Sequence, residues 1–178
     1  EVLNRNKEKI ISTIRIRGPS LPVGIAKVIG VSPLFASAFL SELRAENKVK
    51  MSNLKVGSSS VYYLQGQENM LENFIKFMNT REREAFELLK SNNILIDEQQ
   101  EPVMRVALRA IKDFAIPVKM TEDGVQKIVW KYHLLPDEEF VKIVEGKNNA
   151  EKAEEILAAV EQEEKTEKPI RRNRRVVP

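Results

Sequence analysis

The chain has 178 residues, 42% of them hydrophobic, with 29 Lys and Arg against 26 Asp and Glu for a formal net charge of +3; this is the composition of a globular chain, not of a disordered or membrane-embedded one. With no Cys and a single His, His133, it excludes disulfides, thiolate zinc sites, iron–sulfur clusters, Cys nucleophiles, His-based metal clusters and a Ser-His-Asp triad. No uncharged run approaches the ~20 residues of a spanning helix, and no apolar stretch behind a basic one marks a leader. The expectation is a cytoplasmic protein without a membrane partner; the opening Glu1 in place of Met implies residues ahead of it.

Apolar residues at Ile10, Ile11 and Ile14 predict a first helix over 5–17, closed by Gly18-Pro19. Ser20 is the expected N-cap of a short second helix carrying Val23, Ile25, Ala26, Val28 and Ile29, stopped by Gly30. Ser32-Pro33 then opens a third helix, with Ala36, Phe39, Leu40 and Leu43 on its core stripe; Leu34 falls on the outward face of this helix and Phe35 on its stripe; both are expected in the core, the alternative being an exposed apolar surface for a protein partner. Val49, Met51, Val56, Val61 and Tyr63 alternate around Gly57-Ser58-Ser59-Ser60, a hairpin with a Gly/Ser tip. Three helices followed by a hairpin is the order of a winged helix-turn-helix. Residues Leu21–Leu64 carry Ile25-Ala26, Gly30-Val31-Ser32, Ala36-Ser37, Leu40 and Leu43 at the spacing I-A-x-x-x-G-[VI]-S-x-x-x-[AV]-S-x-x-L-x-x-L, which resembles the winged-helix regulators of the MarR or ArsR kind. Ala26 and Gly30 are read as small because two helices cross there.

Further along, Leu71, Phe74, Ile75 and Met78 predict an amphipathic helix. Thr80 is expected to cap another helix, which carries Ala85, Phe86, Leu88 and Leu89. A helix over 101–114 buries Val103, Val106, Ala107, Ala110, Ile111 and Phe114, and Thr121-Glu122-Asp123-Gly124 marks a second hairpin. Pro33 precedes Val49-Lys50-Met51 by the sixteen residues that separate Pro102 from Val118-Lys119-Met120, and Val61-Tyr62 matches Val129-Trp130, which suggests an internal repeat. The stretch 94–100 is too short and polar for the missing second helix. The fold expected is α+β, mainly α, with tandem winged helix-turn-helix domains at 1–66 and 67–146. An acidic helix or linker at 147–168 follows a break at Gly146-Lys147-Asn148-Asn149, and 169–178 forms a disordered basic tail.

Charge separates these segments. Residues 1–66 hold 10 Lys and Arg against 4 acids, a net of +6; 67–146 carry −4, 147–168 carry −3, and 169–178 carry +4. Basic blocks of this kind point to phosphate. The expected contacts are Ser32, Ser37, Ser41, Arg44 and Lys48 on the third helix, Lys50, Lys55, Ser58 and Ser59 on the hairpin, and Arg171, Arg172, Arg174 and Arg175 in the tail. The third helix has no early Arg, Asn or Gln to read G or A bidentately, so base readout looks weak. His133 reads as a structural residue at a strand end, Asp137-Glu138-Glu139 as helix capping, and Gly57–Ser60 as no phosphate loop because it joins strands. Trp130, Tyr62 and Tyr63 alternate between base stacking and core.

No catalytic residue, metal or cofactor is expected, and no enzyme. The resemblance implies a DNA-binding transcriptional regulator of archaeal type acting as a homodimer, for which 71–78 and 156–160 offer spare apolar helices. The alternatives are an RNA- or ribosome-associated factor, and a protein-interaction adaptor in a transcription complex or other larger assembly. Deleting residues 169–178 is expected to flatten the salt dependence of nucleic-acid binding in an electrophoretic shift series; an unchanged slope would make the tail a bystander.

Overall fold

The computed structural model describes the backbone of residues 2–166. The arginines of 171–175 and the side chains of Ile156 and Val160 lie outside the described residues. The fold is α+β and mainly helical, with two small sheets, and it separates into one compact unit ending at Leu135 and a second beginning at Pro136. No single helix among the described residues is long and apolar enough to cross a membrane.

In the first unit, α1 (Val2–Arg17), α2 (Pro22–Ile29) and α3 (Pro33–Ala45) precede β1 (Lys50–Val56) and β2 (Ser59–Tyr63). Ile10 and Ile14 of α1, Ile25 and Ala26 of α2, and Ala36, Phe39, Leu40 and Leu43 of α3 form one buried cluster; truncating a Leu in it costs about 2–5 kcal/mol. Gly18 ends α1 with φ +84°, the conformation that favours glycine; a Cβ there would meet Cε of Met70, the far end of a flexible side chain that can move aside. Gly30 differs. Nothing lies within 4 Å of a Cβ built on it, and only its φ of +75° requires glycine; helix crossing is not the reason. Ser20 does not cap α2 either: Leu21 occupies that position, and the Ser20 hydroxyl donates to the Gly18 carbonyl at 2.9 Å. The Ser20 backbone instead exchanges hydrogen bonds of 2.8 and 2.9 Å with Tyr62, adding one residue of antiparallel pairing to β2.

The chain continues through a 3₁₀ segment (Glu68–Phe77) in place of the expected α-helix, then α4 (Thr80–Asn92), β3 (Ile94–Ile96), a 3₁₀ turn (Asp97–Gln99), α5 (Pro102–Ala110), β4 (Ala115–Glu122) and β5 (Val125–Tyr132). Asn79, not Thr80, caps α4, accepting from the Glu82 N–H at 2.8 Å. Asp123 and Gly124, with φ of +49° and +81°, make the two-residue turn expected from the sequence. The sheet order is β3-β5-β4, and its core holds Phe86, Phe114, Leu89, Ile94 and Leu108, with the Phe86 and Phe114 rings edge to face at 5.1 Å. Val103, Val106 and Ala110, expected inside, are exposed, because they lie off the stripe of Ala107, Leu108 and Ile111 that faces the core.

The two chain halves share an order of pairing. Leu95 faces Trp130 as Ser20 faces Tyr62, which keeps the Tyr62–Trp130 correspondence. The sixteen-residue interval does not survive: Met51 pairs with Tyr62, but Pro117, not Met120, pairs with Trp130. The slip follows from the shorter α5, nine residues against the thirteen of α3, since the connection to the next strand spans four residues in both halves.

Three carboxylates join distant segments. Asp113 Oδ2 accepts from Ser52 Oγ and Asn53 N at 2.8 Å and from Leu54 N at 3.3 Å, where the β1–β2 register slips between Met51 and Lys55. It thereby receives N–H groups that the bulge withdraws from the ladder, and it joins the two halves across residue 66. Glu72 in the 3₁₀ segment accepts from Lys90 Nζ at 2.5 Å, from the Tyr132 hydroxyl and, at 3.1 Å, meets His133 Nε2. Burial opposes its ionisation, yet these partners hold it below the usual carboxylate range; burial also pushes His133 down, against the pull of Glu72. In the stretch 71–78, Leu71 and Met78 are buried, Phe74 and Ile75 half-buried and Phe77 exposed.

In the second unit, α6 (Asp137–Thr166) is continuous. The expected break at Gly146–Asn149 is absent because one Gly costs only about 1 kcal/mol relative to Ala, and the strong helix formers Glu145, Lys147 and Ala150 flank it and the two asparagines.

Asp97 is buried, with Oδ1 accepting from Trp130 Nε1 (2.9 Å) and Arg109 Nη1 (2.8 Å) and Oδ2 from Arg105 Nε (2.9 Å) and Arg109 Nη2 (2.9 Å). Burial alone would raise its pKa; Arg109, Trp130 and Arg105 outweigh that and hold it at about 2. A depressed carboxylate stabilises fully above its unfolded value, 3.8, and loses that contribution as pH falls toward 2. Asp97→Asn is expected to lose about 2 kcal/mol at pH 7 and to flatten acid unfolding between pH 4 and 2. Urea titrations across that window check this, and parallel acid limbs for variant and parent would sink it.

Candidate nucleic-acid interface

The axes of α2 and α3 turn through 107° across Gly30-Val31-Ser32. Gly30 N and Val31 N both donate to the Ala26 carbonyl, at 3.0 and 3.1 Å, so α2 is closed off before α3 begins. Pro33 at the first helical position suits the restart. Ser32 caps α3, its hydroxyl oxygen accepting from Phe35 N at 3.4 Å.

With Ala36, Phe39, Leu40 and Leu43 turned inward, α3 shows solvent Leu34, Phe35, Ala38, Ser41, Glu42 and Arg44. Leu34 is 77% and Phe35 63% exposed, against the expectation that both are core. The reason is helical phase: they precede Ala36 and lie off the 36–39–40–43 stripe.

The expected contact residues divide by what already holds them. The Ser37 hydroxyl donates to the Pro33 carbonyl at 2.9 Å and, like Ser32, is occupied within the helix. Ser41 is exposed. Arg44 is exposed, with Nη1 3.7 Å from Met51 Sδ. Lys48 pairs with Glu46 at 2.8 Å and Lys50 with Glu68 at 3.2 Å. Lys55 and Ser58 are exposed on the hairpin, where the turn is Gly57-Ser58 and Ser59 already belongs to β2. Glu46 is held at about 2 by hydrogen bonds from Lys48 first and Lys7 second. Trp130, Tyr62 and Tyr63 are all buried, which removes them as stacking platforms.

Sequence reasoning missed the basic stripe of α1. Arg5, Lys9 and Arg17 line an open cleft with Glu8, Ser12, Thr13 and Ile16 of the same helix and Val28 and Ile29 of α2. The spacing 5, 9, 13, 17 places these residues on one helical face and was available as a signal. No ion pair to a described residue engages Arg5, Lys9 or Arg17, whereas Lys7, off that face, is held by Glu42 and Glu46 at 2.8 and 2.6 Å.

Residues 6–66 match the family model of FaeA-like proteins. No curated protein matches the chain, and no solved structure does. The FaeA-like stretch covers α1 to β2, the same residues that hold the 107° turn and the exposed face of α3. It stops short of α4, so the second half of the first unit stands on its own geometry.

Among the described residues there is no group of His, Asp and Glu that could hold a metal ion. The pairs Lys48–Glu46 and Lys50–Glu68 are exposed and therefore weak. Lys48→Gln and Lys50→Gln are each expected to change stability by less than about 0.5 kcal/mol, read by thermal unfolding; a larger loss would give these lysines a structural role in place of availability for an anion.

Proposed function

We propose that the protein is a winged helix-turn-helix DNA-binding regulator in which α3 enters the major groove and the β1–β2 hairpin lies along the backbone. The observation that carries this is an α3 whose outer face is left unpacked after a 107° turn, in a segment with a net charge of +6. The FaeA-like match over the same residues supports it. Arg44, Lys48 and Lys55 serve phosphates, Lys48 exchanging its exposed carboxylate partner for one. The stripe Arg5, Lys9 and Arg17 extends the basic surface.

The second half is a degenerate repeat of the first. Its order α4-β3-turn-α5-β4-β5 and the Leu95–Trp130 pairing support that reading, with the 3₁₀ turn at Asp97 in the place of α2. It is not a second reader of DNA. Arg105 and Arg109, the arginines of α5, are committed to Asp97, and the outer face of α5 carries Val103 and Val106, 55% and 69% exposed. That apolar face favours a protein contact as a second role.

Fluorescence anisotropy of the full chain with a mixed-sequence duplex and with a structured RNA, across a salt series, tests the proposal. The duplex is expected to bind more tightly at every salt concentration. The triple variant Arg44→Ala, Lys48→Ala, Lys55→Ala should lower the log–log salt slope by about 2–3, near 0.9 per lost phosphate contact. RNA binding as tight as duplex binding, or a slope unmoved in the triple variant, would overturn it.

A further inference from the structure

The exposed start of α3 has an unusual chemistry for a helix that faces a groove. Base edges in the major groove offer hydrogen-bond donors and acceptors and one apolar group, the thymine C5-methyl. The first two turns of α3 bring little hydrogen-bonding capacity to meet them, only the O–H of Ser32 and the oxygen lone pairs of Ser37. Ser32 Oγ accepts from Phe35 N, and the Ser37 hydroxyl hydrogen goes to the Pro33 carbonyl. What remains outward is Leu34, Phe35 and Ala38; polar groups resume only at Ser41, at Glu42, which Lys7 holds at 2.8 Å, and, ten residues or about 15 Å beyond Leu34, at Arg44. This leaves an apolar tip with its cation toward the far end of the same helix.

From this we infer that Leu34 and Phe35 are specificity-determining residues that read thymine by its C5-methyl group, so that the protein prefers A·T-rich duplexes through apolar contact in the major groove. The inference rests on the DNA-binding reading. Charge selects this occupant over an apolar protein surface: the half that bears the tip has a net of +6, and Lys27, Arg44 and Lys55 stand exposed there with no ion pair to a described residue. A partner that covers the tip must also be strongly anionic and carry methyl groups at its surface, which a thymine-containing duplex does. Readout of this kind is insensitive to the orientation of a donor and so tolerates the lack of Arg, Asn and Gln. It discriminates modestly, because burying one methyl is worth about fourfold in affinity, about 0.8 kcal/mol.

The test compares full-chain binding to four 20-base-pair duplexes by anisotropy: alternating A·T, the same duplex with deoxyuridine for thymidine, alternating G·C, and G·C with 5-methylcytosine. Removing the thymine methyls should weaken binding at least fourfold, and adding them to cytosine should strengthen it. The double variant Leu34→Ala, Phe35→Ala, both exposed and hence compatible with an intact fold by circular dichroism, should erase both differences while leaving the salt slope unchanged. Equal affinity of the parent for the thymidine and deoxyuridine duplexes, with binding intact, overturns methyl readout and leaves the DNA-binding reading standing. A methyl preference that persists in the double variant overturns the assignment to Leu34 and Phe35. Absence of binding to all four duplexes at low salt overturns the DNA-binding reading, and this inference with it.

Discussion

The left-handed backbone at Gly30 is the constraint on which the first half of the molecule depends. With φ at +75°, the chain folds back so that two successive N–H groups share the Ala26 carbonyl, and α3 leaves at a steep angle to α2. That angle is what lets Ala36, Phe39, Leu40 and Leu43 meet Ile10, Ile14 and Ile25 in one core while the opposite face stays free. A residue with a Cβ would find room at this position but not the conformation, at a cost of roughly 1–2 kcal/mol. The core and the exposed face are therefore two outcomes of a single dihedral.

Beyond that core, carboxylates organise the first unit more than additional apolar contacts do. Asp97 gathers two arginines and an indole, Asp113 gathers the backbone of β1, and Glu72 gathers a lysine, a tyrosine and the histidine. Each is wholly or partly withdrawn from water and each accepts at least three hydrogen bonds or ion-pair contacts, the condition under which a buried charge is tolerated. The same economy explains why the second half differs in surface chemistry from the first. Its helix arginines are consumed holding α5 to the 3₁₀ turn and β5, whereas those of α1 and α3 remain in solvent.

Much of this was legible in the sequence. The helix order, the Gly30 stop, the core stripe of α3 and the Asp123-Gly124 turn follow from periodicity and turn chemistry, which are local. The placement of Leu34 and Phe35 was not, because apolar residues beside a core stripe read as core until the helical phase is fixed by packing. The three carboxylates were equally hidden. The partners of Asp113 and Glu72 lie up to 61 residues away, and nothing in the local pattern marks them as buried. β3 is too short to show alternation, and the 3₁₀ turn at Asp97 stands where a helix was sought. Gly146 misled in the other direction, since a lone glycine among strong helix formers does not end a helix.

Asp113 has one more consequence, for behaviour at high concentration. β1 is the outer strand of its small sheet, with β2 and then Ser20 behind it, and a free strand edge is a template on which other chains can pair. The carboxylate occupies the N–H groups of Asn53 and Leu54 on that strand, and the bulge there breaks the flat repeat that a foreign strand would need. A single side chain from the other half of the unit thus closes part of the β1 backbone to pairing with another strand.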